Sequence, residues 1–227
     1  MGNLWKGFKE HRTFRFTSLL VILLIALVVL APVIAPYNPL EAVMKDANQA
    51  PSMAHLFGTD KLGRDVLSRI LYGGAYSLSS VLALVAIIFC VGTFLGLVAG
   101  YFGGLIDTVI MRIADMMISF PGVILAIAIA GIMGGSLVNA MIALTAVTWT
   151  KYARLSRSMV LKIRKRDFVD AAIVSGGTSS HILWTHIMPN VVPILVITAV
   201  SDIGAMMMEL AGLSFLGFGS QPPAPEW

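Results

Sequence analysis

Of the 227 residues, 57% are apolar and 12% are charged, about half the charged share of a soluble domain, and the mean hydropathy is +0.86. These values exclude an ordinary soluble enzyme and place the chain in a membrane. The net charge of +4 would suit nucleic acid or an anionic lipid surface, and its concentration beside apolar runs decides for lipid.

The start, residues 1–16, carries Lys6, Lys9, Arg12 and Arg15 against Glu10, and Thr17 to Ala35 follows without a charge, long enough to cross a bilayer. A basic start before an apolar run is also the form of a cleavable signal peptide. The length of the run, and Pro36 directly after Ala35, favour retention. The reading is a cytoplasmic tail over 1–16 and a first span over 17–35. Residues 36–78 then form an outer segment, with Pro36, Asn38, Pro39 and Pro51 as turn signals and balanced charges. Within GTDKLGRD, the residues Asp60, Lys61, Arg64 and Asp65 are close enough to pair locally. With Gly58 and Gly63 they fix a turn before a helix from Val66 to Tyr72. A contact with an outer partner and a role toward substrate are the other readings of these charges.

Ser79 to Tyr101 is the second span, where Gly92, Gly96 and Gly100 recur every fourth residue. Such a face lets another backbone come close, either within one subunit or as a sliding surface toward a second. Cys90, the single cysteine, lies in this apolar run, so an intrachain disulfide or cysteine cluster is excluded. Gly104 to Ile132 is the third span, interrupted by Pro121 in SFPG. Its Arg112 and Asp115 are three apart, which predicts a pair on one helix face. Proline frees a carbonyl and bends a span, so Pro121 is a candidate for shaping a pore or gate.

After a turn at Gly134-Gly135, Leu137 to Thr150 re-enters the membrane and runs on as a cytoplasmic helix, KYARLSRSMVLKIRKRDF. Lys151, Arg154, Arg157, Lys162, Arg164, Lys165 and Arg166 outnumber Asp167 and Asp170 there, the strongest orientation signal in the chain. Next comes FVDAAIVSGGTSSHILWTHIMPN, Phe168 to Asn190, read as two short helices broken at Gly176-Gly177. Asp170, Ala171, Ala172, Gly176 and Pro189 mark a coupling hairpin. Small alanines allow a partner's close approach, and the carboxylate offers a charge-assisted bond. Val191 to Leu216 is the fifth span, with Asp202 and Glu209 seven apart near one face and Met206 between them. Asp202, Met206 and Glu209, with Pro121, are the pathway candidates. Pairing of Asp202 with a backbone donor or a neighbouring subunit stands as the alternative. His11, His55, His181 and His186 all fall outside the spans, so no metal site is expected.

No glycine-rich loop ends in Lys-Ser or Lys-Thr, so ATP hydrolysis is not expected of this chain. No nucleic-acid-binding fold accompanies the basic run. Four blocks in order, GTDKLGRDVLSRILYGG, FPG, the Phe168 to Asn190 hairpin and LSFLGFGSQPPAPEW, resemble the second permease subunit of the dipeptide, oligopeptide and nickel ABC importers. The hairpin is similar to the family's EAA loop, with Asp170 where the family usually has Glu, and Asp60, Arg64 and Asp65 stand at family-matching positions.

The resemblance implies an all-α polytopic helix bundle of the type I importer permease kind, here with five spans, in a bacterial cytoplasmic membrane with the N-terminus inside. It implies a non-catalytic subunit forming half of a pore for peptides or nickel and metal chelates. The implied partners are a second homologous permease, two ATPases that carry ATP and Mg, and an extracytoplasmic substrate-binding protein; no cofactor is expected on this chain. An ion-coupled secondary transporter and a membrane scaffold are the alternatives, separated from the permease by the hairpin. Counting five spans leaves Trp227 outside, and the family pattern continues through a further span, so residues 79–227 are read as a permease core lacking its last helix.

Overall fold

The computed structural model describes residues 12–227; Lys6, Lys9, Glu10 and His11 lie outside the described residues. Among the described residues all regular structure is helical, apart from one isolated antiparallel bridge between Thr59 and Asp65. The main helices are α1 (Arg12–Val29), α2 (Val66–Phe102), α3 (Gly104–Ile118), α4 (Gly122–Met133), α5 (Leu137–Ile163), α6 (Asp167–Val174), α7 (Ser179–Ile182) and α8 (Met188–Phe215). The expected helix from Val66 and the second span are one helix of 37 residues, because no breaker stands between Tyr72 and Ser79 that a helix cannot absorb. Two compact units are present, Met1–Ser79 with Pro222–Trp227, and Ser80–Gln221.

In the first unit, α1 is apolar on every side and none of its side chains is buried by protein. A helix of that kind is at home in lipid rather than in a solvated fold. The loop before α2 is tied by hydrogen bonds that satisfy its backbone away from any ladder. Tyr37 Oη donates to Ala54 O at 2.9 Å, Gln49 N to Thr59 Oγ1 at 2.8 Å, and Arg69 Nη1 to Pro39 O at 3.0 Å. The Trp227 indole N–H donates to Ile70 O at 2.6 Å, its ring lying where a Cβ on Gly74 would come within 2.9 Å of it.

The second unit is built around α5. Ala126 and Ala130 of α4 are buried with Ala140, Ala143 and Leu144 of α5, small side chains that let the helices close up. The glycine face of α2 meets the next turns of α5. A Cβ on Gly92 would lie 2.5 Å from Trp149 O and Tyr152 Cβ, one on Gly96 2.7 Å from Ser156 Cβ, and one on Gly100 2.8 Å from Val160 Cβ. The spacing of four is therefore used for packing inside the subunit, the first of its two readings. Ser156 Oγ donates to Thr93 O at 3.2 Å within the same seam.

The third span is not merely bent. Helices α3 and α4 meet at 92° around Ser119–Pro121, and Pro121 (ψ 120°) caps α4 in an extended conformation. The 12 residues of α4 reach only about 18 Å, short of a bilayer core of about 30 Å. By length and composition, Arg12–Val29, Val66–Phe102 and Ser179–Phe215 are fit to cross a membrane, and the bent pair makes a fourth if taken together. The remaining expected span is α5, whose apolar first half runs on into the basic second half within one helix of 27 residues.

Replacing Gly96 by leucine should separate α2 from α5. The added side chain overpacks a backbone contact at a cost of about 1 to 3 kcal/mol. The expected outcome is a lower unfolding midpoint of the detergent-solubilised protein than that of a Gly204→Leu control, whose Cβ would meet nothing within 4 Å.

Candidate functional site

Three groups of predicted residues can be placed. In the hairpin, Arg166 stands extended before α6 and Val169 is fully buried, fixing which side of the helix faces the core. Ala172 packs against that core, whereas Phe168, Asp170, Ala171 and Val174 face outward, Val174 at 87% exposure. Phe168, Ala171 and Val174 recur every third residue, so an apolar strip with Asp170 beside it is presented away from the subunit. Gly176 closes α6 with φ at +82°, its N–H reaching Ile173 O at 3.0 Å. Thr178 then caps α7, accepting the His181 N–H at 3.3 Å.

The second arm of the hairpin does not end where the sequence places its stop. From α7 the chain passes through one π turn, Leu183–Ile187, with Leu183 and Ile187 buried, and enters α8 without a break. Pro189 stands just after that π turn, where the pairing departs from the α-helical ladder that a proline would interrupt, and the helix runs on through it. The hairpin and the fifth span are thus one mechanical piece.

The pathway candidates separate. Asp202 lies at the middle of α8 and accepts from Lys151 Nζ at 2.7 Å on both carboxylate oxygens and from Tyr152 Oη at 2.9 Å, both on α5. Asp202 is thus paired, with side chains of the same chain and not with the backbone donor or neighbouring subunit of the expected alternative. Glu209 is half-buried on the same helix, Met206 is buried in the core and Met208 is 75% exposed, so Met206 packs rather than lines an open surface. Pro121 is exposed at the α3–α4 break.

The predicted pair of Arg112 with Asp115 is not formed. Asp115 accepts instead from Arg154, and Asp107 from Arg157 at 2.6 Å through Nη2. Carboxylates on the amphipathic α3 meet the basic half of α5, an arrangement in which opposite charges from two helices satisfy one another. Sequence reasoning counted Lys151, Arg154 and Arg157 as surface charge. The signal that could have flagged Lys151 is its place at the end of an apolar run, with Asp202 in the middle of another.

In the outer motif, Asp60 accepts from the backbone N–H groups of Leu62 and Arg64 at 2.8 and 3.0 Å and from Arg64 Nε at 2.7 Å. Asp65 does not join that cluster. It accepts from the Ser68 N–H and hydroxyl, at 2.8 and 2.7 Å, capping α2, and lies 3.0 Å from His55 Nδ1. Burial opposes the charge on each carboxylate, yet the hydrogen bonds from Arg64 and Leu62 hold Asp60, and those from Ser68 and His55 hold Asp65, below the ordinary value of 3.8. Among the described residues no group of three or more His, Cys, Asp or Glu side chains is placed to hold a metal.

Residues 92–227 match the family of binding-protein-dependent transport system inner membrane components, and residues 1–51 match the N-terminal transmembrane domain of oligopeptide transport permease C. The chain belongs to this permease family. It is similar to the glutathione transport system permease protein of Pectobacterium atrosepticum, 39% identical over 98% of this chain and 74% of that protein. Dipeptide transport system permease proteins of Alkalihalophilus pseudofirmus and Haemophilus influenzae are 38% and 37% identical, over 98% of this chain and 73% and 77% of theirs. The permease is accordingly a non-catalytic, inner-membrane component of an ABC transport system.

The depressed carboxylates give the outer segment a defined acid response. Because Asp60 and Asp65 are held below their unfolded values, their contribution is complete above about pH 3.8 and is lost as pH falls through the lower folded values. Hydrogen exchange of residues 46–68 should therefore accelerate below that pH. Asp65→Ala, which removes the cap at a cost of about 1 kcal/mol, should show faster exchange already at pH 7.

Proposed function

We propose that the permease forms half of the translocation pore of an importer for short peptides, driven by ATPases on separate chains. Peptide-type cargo is favoured by the relatives named for dipeptide and glutathione transport, and the nickel-chelate reading has no comparable support. The observation that carries the proposal is the continuity of the hairpin with α8. An outward-facing strip, Phe168, Ala171 and Val174 with Asp170, is joined by buried residues and a π turn to the helix that bears Asp202 and Glu209.

In this reading Asp170, Ala171, Ala172 and Gly176 dock in a groove of an ATPase, and Pro189 starts the helix that transmits the movement. ATP and Mg are held by the two ATPases, and none is held here. A second homologous permease completes the pore, and an outer binding protein delivers substrate toward the segment bearing Asp60, Arg64 and Asp65. The basic run from Arg154 to Arg166 supports a cytoplasmic position for the hairpin, and with it a cytoplasmic N-terminus. A secondary transporter or a scaffold would leave the outward strip of α6 without a use.

Ala171→Arg places a long charged side chain on the docking strip. In proteoliposomes containing the whole importer, uptake should fall at least about fivefold, the equivalent of about 1 kcal/mol or more of overpacking. The permease should remain in the membrane with its second permease partner. Normal uptake together with normal recovery of the ATPases would sink the coupling assignment.

A further inference from the structure

The Lys151–Asp202 pair sits at the fifteenth residue of both α5 and α8, helices of 27 and 28 residues. Counted along α8 from the start of its apolar run at Val191, Asp202 lies 11 residues or about 16 Å in, which places the pair inside a hydrocarbon layer of about 30 Å, where α5 passes from its apolar to its basic half. The Asp202 side chain is 13% exposed, but that of Lys151 is 53% exposed. An ammonium left half open at that depth is expensive against acyl chains, so the open side of the pair must meet water or protein. Its surroundings agree. Thr148 lies one turn before Lys151 on α5, and Thr198 and Glu209 lie four residues before and seven after Asp202 on α8, all partly exposed. The neighbouring side of α8 is of another kind, with Ile194, Ile197 and Val200 43 to 67% exposed.

We infer that this polar strip faces a water-filled translocation pathway and that Lys151 is a specificity-determining residue for the carboxylate of a passing zwitterionic peptide. The inference rests on the permease reading above. At rest Asp202 occupies the ammonium. When a peptide carboxylate takes its place, Asp202 keeps the Tyr152 hydroxyl as a donor, so no carboxylate is stranded. Glu209 stands about 10 Å farther along α8, roughly the length of three extended residues, and is placed to meet the peptide ammonium. Both ends of a short peptide thus find a complementary charge, neither held so tightly that passage stops.

The test uses the complete importer, both permeases, the ATPases and the binding protein, in proteoliposomes. A dipeptide with a free C-terminal carboxylate is compared with its C-terminal amide. Lys151→Met should lower uptake of the free acid about tenfold while leaving the amide within about twofold, and Lys151→Arg should keep the wild-type preference. The exchanged pair Lys151→Asp with Asp202→Lys, which preserves attraction between α5 and α8, should shift the preference toward the amide. Equal losses for acid and amide in Lys151→Met, or an unshifted preference in the exchanged pair, would overturn the assignment. Access is read separately: in a Cys90→Ala background, Lys151→Cys should react with a membrane-impermeant thiosulfonate, more slowly when the dipeptide is present. A cysteine there that never reacts places the pair in a protein interface and also overturns the assignment. Failure of the wild-type complex to move any peptide would count against the permease reading itself, while the labelling result would still decide whether Lys151 meets water.

Discussion

Close approach to α5 is the constraint on which the second unit depends. One helix receives the glycine face of α2, the alanines of α4, the carboxylates of α3 and Asp202 of α8. In a membrane there is no hydrophobic drive between helices, so association rests on van der Waals fit and on polar groups finding partners. The two halves of α5 do this differently. Its apolar half, lined with Ala140 and Ala143, holds neighbours by shape alone, whereas its basic half takes the α2 glycines at Tyr152, Ser156 and Val160 and also supplies Lys151, Arg154 and Arg157. At Thr150 and Lys151 charge is thus added to shape.

That division explains how the third span is broken so sharply without loss of order. Around Ser119–Pro121 the α3–α4 corner gives up the continuity of a helix. Each side of the corner is then fixed independently: α3 by Asp107 and Asp115 on arginines of α5, and α4 by Ala126 and Ala130 in the core. A kink with only the proline to define it would be loose. Here the charges and the alanines set the angle.

Much of this was legible in the sequence because it follows from local pattern. Apolar runs marked the membrane segments, Gly176 marked the hairpin's break, and the spacing of Gly92, Gly96 and Gly100 marked a close helix contact. What was not legible was long-range partnership. Arg112 and Asp115 satisfied a local rule, yet Arg154, 39 residues away, has the better geometry toward Asp115. Lys151 read as part of a basic run because its nearest charges in sequence are basic, whereas its partner is 51 residues away. A local rule also closed the hairpin at Pro189, whereas the chain passes through a π turn and runs on as helix through both Pro189 and Pro193.

The π turn at Leu183–Ile187 gives the junction between hairpin and span a particular mechanical character. A π turn accommodates one residue more than the α-helix on either side of it. Each residue of an α-helix turns the chain by about 100°, so absorbing or releasing that extra residue would turn α8 about its own axis instead of tilting it. Force applied at the cytoplasmic end would then arrive as torque, and a quarter-turn is enough to exchange which side chains of one helix a neighbouring space receives.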